Sequence, residues 1–139
     1  MTAQSRNLAI RAHFGDDRHA LALPQLYFAL FNGSPASAGV EPTAFGGYAR
    51  VTRANDSALW GTYGSADTAV VNKGTAGAIT WPGATDIWSQ NPLTHWAIFD
   101  NAAGGVLWYW GVLSAPVTLT GAGDVIQLPP STLTISQAA

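Results

Sequence analysis

The apolar positions of this chain follow the short periods of β-strands, with one exception at the start. "LYFALF" (Leu26 to Phe31) is a continuous apolar run, the pattern of a strand covered on both faces. A long Pro/Gly/Ser/Ala connection follows over residues 32–47, and "YARVT" opens a further strand at Tyr48. Shorter strands are expected around 59–62, around 69–72 and at "AITW" (Ala78 to Trp81), which Pro82 ends. The tail offers "VTL", a "TGAGD" turn, "VIQL" and "TLTIS"; in the last, Leu133 and Ile135 alternate with hydroxyl residues.

The densest apolar stretch is "HWAIFDNAAGGVLWYWGVL" (His95 to Leu113), which holds three of six tryptophans and a single charge, Asp100. Its centre, "DNAAGG", supplies residues able to turn a hairpin. Side chains alternate across a strand. Val106, Trp108, Trp110 and Val112 therefore share one face of the second arm, and Leu107, Tyr109, Gly111 and Leu113 the other. Neither face is polar, whereas an antiparallel strand with one wet side alternates apolar and polar. Leu26–Phe31, His95–Phe99 and Val106–Val112 are thus expected as central strands, because edges with such surfaces aggregate. The second face needs a cover: an N-terminal helix, the loop 32–47 or another subunit. Sugar stacking on the tryptophans is a third use for the surface.

Thr2 to Phe14 reads as the one helix, with Thr2 as N-cap and Gly15 as stop. Ala3, Ile10 and Phe14 form a narrow apolar stripe, with Arg6 and Arg11 beside it. A helix this short does not hold alone in water, so it is expected to dock on the hairpin's second face or on a neighbour. The interface candidates are accordingly Arg6, Ile10, Arg11, Phe14, Trp96, Trp108 and Trp110. Residues 1–23 form an arm in this reading, and 24–139 one antiparallel β-sandwich domain, jelly-roll-like, of about eight or nine short strands.

Composition sharpens the picture of neighbours. Of 139 residues 47% are hydrophobic and only 10% charged, against about 25% in an ordinary soluble domain. A folded chain of this length exposes on the order of 7,000 Å², which leaves roughly one charge per 500 Å². Part of that surface is expected to be covered by other chains, and a homo-oligomer, trimer or dimer, is the simplest cover. Six Lys and Arg without a basic run argue against nucleic acid. No apolar run approaches the ~18 residues of a membrane span, and the start lacks the layout of a signal peptide. The absence of cysteine removes disulfides and thiolate sites.

Catalytic patterns are not found. His13, His19 and His95 lack the spacing of a helical zinc pair. The aspartates sit beside Asn, Ala, Gly or Thr in expected turns. "GTAG" and "TGAGD" lack the lysine and following helix of a phosphate loop, and no G-x-S-x-G elbow occurs. The reading is a non-enzymatic protein with no cofactor and no metal.

The order of "LYFALF", "EP", "GGYARV", "AITWP", "THWAIFD", "VLWYWGVL" and "GAGD" resembles a family of small tailed-bacteriophage virion proteins labelled tail-fibre or minor tail protein. In that family Trp81 has a phenylalanine as its common counterpart. Jelly-roll decoration or cement proteins of phage heads are similar in size and strand content. The resemblance runs from about Ser5 to Ser136 and implies a virion protein made in the host cytoplasm. The expectation formed on these grounds is a capsid decoration (cement) protein bound over junctions of the major capsid protein. The alternative is a tail or tail-fibre component contacting other tail proteins, with a host-recognition or carbohydrate-binding role.

Overall fold

The computed structural model describes residues 23–56, 58–60, 70–72 and 77–135. The expected helix Thr2–Phe14 and the candidates Arg6, Ile10, Arg11 and Phe14 lie outside the described residues. Among the described residues eight strands are seen: β1 (Gln25–Phe31), β2 (Val51–Ala54), β3 (Val70–Val71), β4 (Ile79–Thr80), β5 (Leu93–Phe99), β6 (Leu107–Val117), β7 (Gln127–Leu128) and β8 (Thr134–Ile135). One 3-10 turn covers Phe45–Gly47. The strands form a four-stranded sheet in the order β2-β1-β5-β6 and two ladders, β3-β8 and β4-β7. The mainly β, antiparallel expectation holds. A second four-stranded sheet, which a jelly roll requires, is not among the described strands.

The described residues belong to two compact units. The larger comprises Leu26–Thr52 and Thr80–Gln127 and contains nearly all of the main sheet. Its central pair is β1 and β5, antiparallel, with Leu30 opposite Trp96, Ala29 opposite Ala97 and Phe28 opposite Ile98. Leu26, Phe28, Leu30, Trp96 and Ile98 bury one face. On the other face Ala29 and Ala97 are fully buried. Phe31 and Phe99 start from opposite ends of this ladder, yet their rings stack at 6.0 Å and 19°. They reach each other only by leaning inward over the alanine pair, and the four residues form one cluster. The small side chains in the middle thus give room for the large ones at the ends.

Trp88 anchors the long connection after β1. Its Nε1–H donates to Gly46 O at 3.1 Å, and its ring meets Tyr48 edge-on at 5.0 Å. Gly46 has φ 72°, and a Cβ there would stand 2.7 Å from Asp86 O, so no other residue fits. Beyond β5 and β6, Asn91 Nδ2 donates to Leu119 O and Asn91 Oδ1 accepts from Leu119 N–H. Asn91–Pro92 is cis.

The smaller unit takes the described residues of Arg53–Ile79 and Leu128–Ala139, with those just before Leu26. Two buried asparagines organise it. Asn72 Nδ2 donates to Gly77 O (2.8 Å) and Pro129 O (3.0 Å), while Oδ1 accepts from Leu133 N–H (2.9 Å). Asn55 Nδ2 donates to Leu23 O, and its Oδ1 accepts from Trp60 Nε1–H. A buried amide is tolerated because its donors and acceptor are all engaged.

Candidate functional site: the β5–β6 hairpin

The apolar hairpin forms as its sequence suggests, from β5, a turn over residues 100–106 and β6. Asp100 Oδ1 accepts from Val106 N–H at 2.7 Å, closing the turn. Gly104 and Gly105 take φ 62° and 78°, the left-handed region that the turn needs. A side chain at Gly105 would strike the Asp100 carboxylate.

Arg50 holds this turn from outside the hairpin. Its NH1 donates to Asn101 O and to Gly104 O, both at 2.8 Å. Its Nε and NH2 donate to the two oxygens of Glu41, at 2.8 and 2.7 Å. The guanidinium also lies 3.7 Å over the Phe99 ring. The Arg50 side chain is only 5% exposed, so its charge survives there through the bidentate pair and the ring face. Tyr48 Oη donates to Glu41 Oε1 at 2.7 Å and accepts from Leu30 N–H at 3.2 Å. Burial, reinforced by the Glu41 charge, pushes the Tyr48 phenol far above its usual range, so it stays a neutral donor at any ordinary pH. A shallow cleft of about 350 Å³ lies beside this cluster, between Glu41, Tyr48, Ala49, Arg50 and turn residues 102–104. Its charged groups are bonded to one another and to the turn, which makes them a clamp on the hairpin.

The two arms differ in exposure. Among the described strands β6 ends the sheet, where the sequence pattern places it centrally. Ala97, Ile98 and Phe99 of β5 are buried, whereas Val106, Trp108, Trp110 and Val112 are exposed. Trp96, the buried interface candidate, is held inside the sheet. It stands opposite Gly111, and a Cβ on that glycine would come within 2.7 Å of its indole ring. The indole fills the space that a side chain at 111 would take. Trp108 and Trp110 stand on the surface, with the His95 ring 5.8 Å from Trp110. The ladder to β5 shifts register between Ile98 and Phe99, which pair with Tyr109 and Leu107, so Trp108 sits at a bulge.

Sequence reasoning did not find the Glu41–Tyr48–Arg50 clamp. Its signal was the scarcity of charge: an acid and a base nine positions apart, in an almost uncharged region, are more than solvated surface. The place of β6 at the end of the described sheet also had a signal. Pro116 lies within the strand, and proline inside a sheet is confined to edges and bulges. Among the described residues no three His, Asp or Glu side chains gather as a metal site would require, and no helix is long and apolar enough to cross a membrane.

No curated protein matches the chain. The family model described as "Podophage GP4 fiber I protein gp80" matches residues 3–136, which is nearly the whole sequence and the span of the resemblance seen in its motifs. The chain belongs to this family of podophage fibre proteins.

Proposed function

We propose that the chain is a non-enzymatic structural component of a phage particle, placed in a tail fibre and held there by other tail proteins. The observation that carries this reading is the family match over residues 3–136. It favours the fibre over the head-decoration role that size and strand content first suggested. The hairpin supports a structural role: its polar groups are spent on holding a turn, and its exposed surface is apolar and uncharged. Labelling purified particles with an antibody to the chain, together with counting its copies by mass spectrometry, tests the proposal. Label at the tail and a small copy number are expected. Label spread over the head, at hundreds of copies, would return the chain to capsid decoration.

A further inference from the structure

We propose that Asn32–Gly33 is a site of self-modification, where the chain converts its own Asn32 to aspartate and isoaspartate, and that the Thr94 hydroxyl is the brake on this step. Asparagine is among the thermolabile residues, and its conversion needs water alone. The Gly33 nitrogen gives up its proton to solvent and attacks Asn32 Cγ. A C–N bond forms, the Cγ–Nδ2 bond breaks, and the amide takes back a proton and leaves as ammonia. Water then opens the cyclic imide at either carbonyl, and a carboxylate stands where the amide stood.

The nitrogen that follows an asparagine is hindered by the next side chain, and glycine leaves it open. Asn32 is the one asparagine in the sequence followed by glycine. The fold holds that glycine in place: its φ is 86°, and a Cβ there would stand 3.2 Å from Gly39 Cα. The residue that the turn requires is therefore the one that makes the bond reactive. The other buried or bridging asparagines are secured: Asn55, Asn72 and Asn91 each donate their side-chain amide to a main-chain carbonyl. Among the described residues none bonds the Asn32 amide group, and Asn32 is only half-buried, so water reaches it.

Three hydrogen bonds restrain the step. Gly33 N–H donates to Thr94 Oγ1 at 2.9 Å, which engages the proton that the attacking nitrogen must lose. Asn32 N–H donates to Val40 O at 3.0 Å, and Val40 N–H donates to Asn32 O at 2.8 Å. This pair fixes the main-chain torsion that has to turn before Cγ can meet the nitrogen. Thr94 is well placed as a brake because β5 carries it and its Oγ1 lies 2.7 Å from His95 Nδ1. Isoaspartate lengthens the main chain by one carbon, so conversion undoes the bridge to Val40, the residue before Glu41 of the clamp. The site is a property of the chain itself and does not depend on its place in the particle.

Storage of the purified full chain at mildly alkaline pH, followed by peptide mapping with mass spectrometry, tests the proposal. Asn32 should convert ahead of Asn101, and the products should appear as acidic species on ion exchange. In urea, where the restraints are gone, Asn32 should convert faster than in the folded chain. Thr94→Val keeps the shape of the side chain and removes the acceptor; it should speed conversion about fivefold, the factor that one hydrogen bond is worth. Thr94→Ser keeps the hydroxyl and should stay near the wild-type rate, although serine suits a strand less well than valine. An Asn32 that stays intact in both wild type and Thr94→Val overturns the proposal, as does an equal rate in the folded chain and in urea. Conversion in Thr94→Val that is unchanged or slower overturns it as well. So does Thr94→Ser converting as fast as Thr94→Val, because strand stability and not the hydroxyl would then set the rate.

Discussion

The two arms of the hairpin are equally apolar, and only one of them is buried. β5 runs between β1 and β6, and its second face is closed by the phenyl rings of Phe31 and Phe99 with Arg50 above. β6 has β5 on one side, and its outward row of valines and tryptophans stays on the surface. An apolar pattern on both faces therefore reports what a strand needs covered. Whether the chain itself provides the cover depends on which residues arrive from elsewhere, here a single arginine nine positions after its glutamate.

Removing that arginine should bring the arms closest to one another. Arg50→Ala leaves the Glu41 carboxylate without its bidentate partner, frees the Asn101 and Gly104 carbonyls and uncovers Phe99. A loss of about 3–5 kcal/mol is expected in urea unfolding, with Arg50→Lys recovering only part of it, since an ammonium cannot reproduce the planar fork.

Paired truncations measure the difference between the arms directly. Ile98→Ala on β5 should cost about 2–5 kcal/mol. Trp110→Ala on β6 should cost only about 1–2 kcal/mol despite its larger side chain, because much of its ring already meets water. This is smaller than the ~3–5 kcal/mol expected for a fully buried tryptophan, and equal losses would mean that β6 is as enclosed as β5.

Gly111→Ala tests the one place where the arms interlock. Its Cβ would press on the Trp96 indole at 2.7 Å, and overpacking of this kind costs about 1–3 kcal/mol. A changed near-ultraviolet signal from a displaced Trp96 should accompany the loss; an unchanged melting curve would show that the indole moves aside freely.

The smallest effect lies beyond the hairpin. Asp124 accepts from Thr120 N–H, Thr120 Oγ1–H and Gly121 N–H. These bonds hold its carboxyl below the usual carboxylate range. With the folded value depressed, the stabilisation is complete above the unfolded value near ~3.9 and is lost as pH falls through the folded one. Carboxyl titration by NMR should find Asp124 below ordinary aspartates, and Thr120→Val should move it upward.

Strand positions were legible where the hydrophobic period was strong. Leu26–Phe31 lies within β1, His95–Phe99 lies within β5, and Gly104 and Gly105 turn the hairpin as their freedom of φ suggests. Pairing order was less so, since periodicity records two faces and carries no information about the neighbours at each edge. Thus the pattern places β6 in the middle, where the described sheet ends with it, and it offers "VTL" as an element of its own although β6 runs on to Val117. Long-range polar contacts were the least legible: Arg50 reaches Asn101 across 51 positions and Asn72 reaches Leu133 across 61. Each depends on the fold already being formed.

The most direct test of the difference between the arms is residue-resolved amide hydrogen exchange, at a concentration where the chain is monomeric. Amides of β5 should exchange only through global unfolding, while those on the outer edge of β6 should exchange orders of magnitude faster. Equal protection along both arms would contradict the account, because β6 would then be held as tightly as β5.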